Sequence, residues 1–499
     1  MSGEADAGLT GTGLRRDAIG LREVLFQSIT AMAPAAAVAA SIPSGAAFAG
    51  GSLPLAVLVA LVACLFTASC VAELARELPA AGSVSTYAAQ GLHPTVGFLV
   101  GWGYVFVEAL VPPLLLLQLG FTTAGTLHEE WSSYPADLWW PWALAGAAII
   151  AAAGYFGVRA SARFGTVLGV FEIVVFLVFA VWLIGKAGGD NTLSVFGTSH
   201  TAEGHEGIGG IFAGSVYTVL AFAGFEAAAP LAEETRDPRR TMHRAVLGAA
   251  LAIGLFYVIT TYAMTVYFGP DRFAKFGASG DASWEGVARA SFGLFWVLVF
   301  LAVVNSTIAN ANACANVSTR TAFALARIRV LPHLFAALHP KYRSPVAGIA
   351  VQTVVAVGAV LGLGFAYDPV TAFLLLATVI VTVVIGVYIV VNLACAGYFL
   401  RRRRELLKPV RHLLLPVLGI VAFVPALLTA AGLPVFDFVT ELTAPVSYAG
   451  PIVGVWMAAG VVVLVVLMRR HPERIAETAR VHLDDPSPTG LAQNGAAQQ

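Results

Sequence analysis

Twelve long apolar runs occupy most of this chain and leave almost no polar length from which a water-soluble domain could be built. They cover about 24–48, 53–74, 96–126, 138–157, 165–187 and 209–231, then 244–268, 287–318, 346–366, 370–399, 413–433 and 447–468. About twenty apolar residues carry a helix across the hydrocarbon core of a bilayer. In that core every backbone N–H and C=O has to be satisfied without water, which helices do internally. Each run therefore predicts a membrane-spanning helix, and the fold class is an all-α polytopic membrane protein of twelve helices. Composition agrees: 12% of residues are charged, against roughly a quarter in soluble domains.

Charge placement orients the spans. With the N-terminus in the cytoplasm, all but four of the 29 Lys and Arg fall on the cytoplasmic side; the four are Lys186, Arg272, Lys275 and Arg289. Positive charge near span ends is retained inside, so the chain reads as a multi-pass protein of the cytoplasmic (inner) membrane with both termini cytoplasmic. Residues 1–20 are polar and lack the apolar core and cleavage site of a signal peptide. They read as a disordered cytoplasmic segment, residues 21–470 as one membrane domain, and 471–499 as a disordered cytoplasmic tail. The run RRRRELLKPVR between the tenth and eleventh spans is a topology anchor rather than a nucleic-acid site, in keeping with a formal net charge of zero. The short connections at 50–53 and 366–370 predict that spans one and two, and nine and ten, are neighbouring hairpins. Cys64, Cys70, Cys314 and Cys395 all lie in apolar runs and read as small buried residues.

Two runs depart from ordinary lipid-facing helices. The sixth, GGIFAGSVYTVLAFAGFEAAAPLAEE, carries Phe222, Ala223, Gly224, Phe225 and Glu226 at its middle. Glycine weakens a helix and admits close neighbours, and a charge at membrane depth has to face a cavity or a partner. The first, VLFQSITAMAPAAAVAASIPSGAAF, carries Pro34 inside the run; proline removes a donor and clashes with the preceding turn, freeing carbonyls near Thr30 and Ala31. The two runs are five spans apart. If repeat one (about 24–187) and repeat two (about 209–400) are related with opposite orientation, with extra helices at about 411–468, the breaks fall at corresponding positions. Half-helix amides near Ala33 to Ala37 then suit an anion such as a substrate carboxylate, while freed carbonyls and Glu226 suit an ammonium.

Three acids, Glu108, Glu172 and Glu226, stand at membrane depth with no deep Lys, Arg or His to pair with them, which makes each a candidate proton carrier or cation ligand. Tyr104, one turn before Glu108, shares its helix face and either lines the cavity or bonds to Glu108. The eighth run contains NSTIANANACANVST, in which Asn305, Asn312 and Asn316 share one face while Ser306 and Asn310 share another. Such amides serve either close helix packing or a cavity wall, as do Tyr388 and Asn392 in the tenth run. No metal-ligand spacing, phosphate-binding glycine loop or nucleophilic triad is present, so an enzyme is not expected.

The segment FAGFEAAAPLAEETRDPRRTMHRAV resembles the sixth-span signature of the amino acid, polyamine and organocation transporter superfamily. ELARELPAAGSVSTYAAQGLHPTVGFLVGW resembles its second-to-third-span connection, and TRTAFALARIRVLPHLFAALHPKYRSPVAG the block after its eighth span. The resemblance implies a five-plus-five inverted repeat with discontinuous helices 1 and 6, alternating access, and uptake or exchange of amino acids or related amines, driven by a proton or sodium gradient without a cofactor. It places the unwound part of the first span at Ser28, Ile29, Thr30, Ala31, Met32, Ala33 and Pro34 and that of the sixth at Phe222 to Glu226. It makes Phe225 or Phe222 the aromatic that closes over the substrate. Some proton-coupled relatives carry a lysine eleven residues after the serine of a motif like GVRASARFG; counting from Ser161 reaches Glu172 instead. The coupling ion is left open by that departure, as are proton-independent exchange of polyamines or cationic amino acids and a transporter-like nutrient sensor.

Overall fold

A computed structural model describes residues 20–476 except 80–81, 157–161, 230, 232–234, 278–279, 328–331, 343 and 438. The expected disordered termini, apart from Gly20 and residues 471–476, and the reference residue Ser161 lie outside the described residues. Among those described, regular structure is helical throughout. Ten helical stretches among them, of which Leu21–Ser44 and Trp284–Phe323 each run through a break, are long and apolar enough to cross a membrane, and Trp140–Phe156 and Ile208–Phe222 are apolar but shorter.

The first run is split into α1 (Leu21–Ala31) and α2 (Pro34–Ala36), the latter continuing through a π turn at Ala37–Ser41. There follow α3 (Leu53–Glu77), the short α4 (Ser83–Gly91), α5 (Pro94–Glu130), α6 (Trp140–Phe156) and α7 (Ala162–Ala187). The sixth run is helical only as α8 (Ile208–Phe222), after which the chain turns before α9 (Pro238–Phe268). The run expected at 287–318 is two helices, α10 (Trp284–Phe292) and α11 (Trp296–Arg327), because Gly293 adopts a left-handed φ of 55° that ends the first of them. The remainder are α12 (Val346–Tyr367), α13 (Pro369–Arg401), α14 (Leu415–Ala430) and α15 (Ala449–Arg470).

Local chemistry accounts for several of these ends. Asp368 Oδ1 accepts from the amides of Val370 and Thr371, both at 2.9 Å, and Pro369 opens α13 where its missing N–H costs nothing. Ser283 caps α10 by accepting from Gly286 N–H at 3.1 Å. Pro112 and Pro113 sit within α5 without ending it, as prolines in membrane helices can.

Packing separates central from peripheral spans. The span of α13 is 78% buried and that of α15 only 17%, so the former runs through the centre and the latter along the rim. The rim helix is fastened by two indoles: Trp102 donates to Trp456 O at 3.0 Å, Trp456 donates to Trp102 O at 3.1 Å, and their rings stack at 4.8 Å. Spans nine and ten are neighbours, as the short connection predicts. Spans one and two follow one another through Gly50–Ser52, yet α3 lies chiefly against α9 and α8 rather than along the first span. The first span instead approaches α8: a Cβ on Gly45 would stand 2.8 Å from Gly214 O, so only glycine permits that crossing. The two interrupted segments are thereby brought side by side.

Candidate functional site

The first interruption is formed by one residue. Ala33 takes a left-handed φ of 45°, Met32 N–H closes onto Ser28 O at 3.1 Å and Ala33 N–H onto Thr30 O at 3.1 Å, and the helix restarts at Pro34. At the second, Gly224 takes φ 111°, and a Cβ there would lie 2.7 Å from Ala31 O. The glycine is required twice over, by its backbone conformation and by the first span's backbone pressed against it.

The backbone groups set free are mostly claimed by side chains. Ser28 Oγ donates to Phe225 O at 2.7 Å, joining one interruption to the other. The Tyr257 hydroxyl, fully buried on α9, lies 2.8 Å from Met32 O and 3.0 Å from Ala221 O, so a single O–H is shared between carbonyls of both interruptions. Asn310 Nδ2 donates to Ala31 O at 3.1 Å and Gln118 Nε2 to Ala36 O at 2.9 Å. The carbonyls expected to be free near Thr30 and Ala31 are thus occupied, by Ala33 N–H and by Asn310.

Between these elements lies a cavity of about 120 Å³, well under the roughly 300–1,000 Å³ of pockets for drug-sized ligands. Ala31, Met32 and Ala33 line it from the first interruption and Ala223, Gly224 and Glu226 from the second. Helix α5 contributes Tyr104, Glu108 and Gln118, and α11 contributes Asn310 and Cys314. Gln27 and Ser41 complete the polar lining, and no Lys, Arg or His contributes to it among the described residues.

The three membrane acids have different surroundings. Glu226 accepts from three donors: Tyr388 hydroxyl on Oε2 at 2.9 Å, Gly224 N–H on Oε2 at 3.2 Å and Tyr104 hydroxyl on Oε1 at 3.4 Å. Glu108 lines the cavity from α5, and its Oε2 is buried without a partner. Glu172 lies outside the cavity lining, where its carboxylate accepts from Asn305 Nδ2.

Other expected site residues are distributed unevenly. Ser28 and Ile29 are buried behind the lining, and Thr30 is half-buried with its carbonyl turned to Ala33. Phe222 and Phe225 are fully buried and outside the lining, the first edge-on to Tyr257 at 5.3 Å and the second tilted on Tyr388 at 5.1 Å. Asn305 is spent on Glu172. Asn312 and Asn316 face a separate pocket of about 30 Å³ between α5, α6, α11 and α12. Asn310 and Cys314, on the adjacent face of the same helix, take the cavity place instead, joined by a thiol-to-Asn310 Oδ1 hydrogen bond of 3.2 Å. Gln118 and Tyr257 escaped the sequence reading: a lone amide or phenol in an apolar run signals nothing until the carbonyls it serves are known.

The description "Amino acid permease" belongs to the family model that matches residues 23–473. A low-affinity putrescine importer, PlaP, of Escherichia coli is 29% identical over 74% of this chain and 79% of its own length. An uncharacterized transporter of Mycobacterium tuberculosis is 29% identical over 68% of this chain and 73% of its own. The branched-chain amino acid permease BcaP of Bacillus subtilis is 26% identical over 60% of this chain and 65% of its own.

Proposed function

The chain belongs to the amino acid permease family, and from that premise we propose that it is a secondary active transporter moving a small amine or amino acid across the cytoplasmic membrane by alternating access. The observation that carries the reading is the cavity where the two interrupted spans meet, walled by Glu108 and Glu226 without a basic side chain among the described residues. A non-helical backbone is tolerated at membrane depth only where it is buried in protein or lines a cavity, and such interruptions serve transporters as binding sites. The fold proposed is twelve spans, with the shorter α6 and α8 completing the ten longer ones, arranged as two inverted repeats of five plus two extra helices. Both termini are cytoplasmic in this reading.

Uptake is proton-coupled in the proposed cycle. Glu108, Glu172 and Glu226 are the carriers, since each is an acid held at depth away from basic side chains, and two of them touch the cavity itself. The relatives' names divide between putrescine and branched-chain amino acids, so both solute classes enter the test. The purified protein in proteoliposomes should accumulate a labelled amine or amino acid when an inward proton gradient is imposed, and lose that accumulation when the gradient is collapsed. Counterflow without dependence on the gradient would replace coupled uptake by exchange. Binding without any flux would make the protein a sensor and end the transporter reading.

A further inference from the structure

Pro112 and Pro113 stand together inside α5, and a proline's missing N–H leaves the carbonyl four residues earlier without its helical donor. The two carbonyls so released belong to Glu108 and Ala109, at the acid that walls the cavity. Ala109 O is served from another helix: Gln352 Nε2 on α12 donates to it at 3.0 Å. The other end of the same amide accepts from Ser318 Oγ on α11 at 2.9 Å. A carbonyl can only accept, so the NH2 end has to face α5, and the hydroxyl then holds the oxygen. Ser318 lies one turn beyond Cys314 on its helix. One side chain thus bridges, from behind, the wall that carries Glu108 and the wall that carries Asn310 and Cys314.

Gln352 occupies a place where an amide is costly. The span of α12 is only 22% buried and apolar along most of its length, yet Gln352 itself is 8% exposed. Burying an amide is unfavourable unless its hydrogen bonds are made, and here each end makes one. The side chain touches the small pocket shared with Asn312 and Asn316, and not the main cavity. The prolines also mark a boundary along the cavity stripe of α5. Tyr104, Glu108 and Val111 before them are half-buried, whereas Leu114, Leu115 and Gln118 after them are buried. The turn that Gln352 secures is the last one before that boundary.

We propose that Gln352 is a positioning residue of the transport cavity: it supplies the donor that Pro113 lacks and thereby fixes the Glu108–Ala109 turn against the α11 wall. The proposal rests on the transporter reading above. Its test compares Gln352→Leu in the full-length protein with the same change on a Pro113→Ala background, where position 113 regains an N–H for Ala109 O. In nanodiscs, a charged methanethiosulfonate reports on the cavity through Cys314, the one thiol in its lining; Cys64, Cys70 and Cys395 are fully buried, and Cys314→Ser is the blank. In proteoliposomes, labelled putrescine and leucine give half-saturating concentrations and maximal rates. Gln352→Leu should raise the thiol modification rate at least threefold. It should also raise the half-saturating concentration of whichever probe is moved at least threefold, with the maximal rate within twofold. On the Pro113→Ala background the same change should move either readout less than twofold, because the carbonyl no longer depends on Gln352. A lower melting temperature with both readouts unmoved overturns the proposal and leaves Gln352 a packing residue; so does an equally large effect on the Pro113→Ala background. If Gln352→Leu is not recovered folded, Ser318→Ala, which releases the amide's oxygen, should double the thiol modification rate, and an unchanged rate overturns the proposal in its turn. Absence of flux for both probes ends the transporter reading, and the thiol readout then decides the role of Gln352 by itself.

Discussion

Replacing Gly224 with alanine separates a broken sixth span from an unbroken one by the sign of the effect. In a continuous helix the change would be favourable, since alanine exceeds glycine there by about 0.5–1 kcal/mol. In the structure Gly224 has φ 111°, and the added Cβ would meet Ala31 O at 2.7 Å, Ala31 C at 2.8 Å and Ala31 Cβ at 3.0 Å. Holding a non-glycine residue in so sparsely populated a backbone region costs about 1–3 kcal/mol. Overpacking against a neighbour that cannot withdraw costs a further 1–3 kcal/mol or so. Two of the three opposing atoms are main chain, and Ala31 O is itself held by Asn310, so the first span can yield only by loosening its own interruption.

The expected result is a destabilisation of roughly 2–6 kcal/mol, read as a fall of several degrees in the melting temperature of the purified protein. Uptake in proteoliposomes should fall at least tenfold, because the displaced carbonyl belongs to the cavity wall. Gly358→Ala is the matched control: Gly358 lies within α12 with nothing within 4 Å of an added Cβ, so stability there should hold or rise slightly. A Gly224→Ala protein that melts no lower than its parent and transports as well would refute the interruption as drawn.

Three further outcomes follow from named contacts. Tyr257→Phe removes the hydroxyl shared by Met32 O and Ala221 O, and losing a buried hydrogen-bond partner costs about 1–3 kcal/mol; thermal melts should show that loss together with reduced uptake, and a melt alone would mean that the hydroxyl does not tie the two interruptions for transport. Trp456→Phe deletes one of the two reciprocal indole bonds to α5 and should lower stability by about 1 kcal/mol while leaving the uptake rate within twofold, since neither indole lines the cavity. Glu226→Gln keeps the volume but cannot carry the negative charge, and uptake of a cationic amine should drop at least tenfold; equal uptake would remove Glu226 from the solute's path.

Much of the architecture was legible because a bilayer allows so few solutions. Long apolar runs have to be helices, so α5, α9 and α13 could be read within a few residues. The division at Gly293 was hidden for a physical reason: the residues around it are apolar on both sides, and hydropathy does not sense one left-handed dihedral. The span one and two hairpin was misjudged for another. A short connection makes two helices consecutive, but which surfaces meet is decided by where glycine lets backbones close, and Gly45 with Gly214 draws the first span to α8 instead.

The interruptions themselves carried a signal, Pro34 in one run and the Gly224–Glu226 pair in the other, because each is anomalous at membrane depth on its own. The fates of the acids carried none. Glu108, Glu172 and Glu226 present the same residue type in similarly apolar surroundings, yet one keeps a free oxygen, one is held by an asparagine side chain outside the cavity and one is gripped by two phenols. Those differences are set by Asn305 and Tyr388, which stand more than 130 residues along the chain from Glu172 and Glu226 respectively. A periodic pattern can place a side chain on a face of its own helix; it cannot say which remote amide or hydroxyl will meet it there. The amide face of α11 illustrates the consequence, since a shift from Asn312 and Asn316 to Asn310 and Cys314 turns a packing surface into a cavity wall. The chemistry of the site therefore resides less in the acids, which any hydropathy plot exposes, than in the neutral donors that decide which of them can still receive a cation.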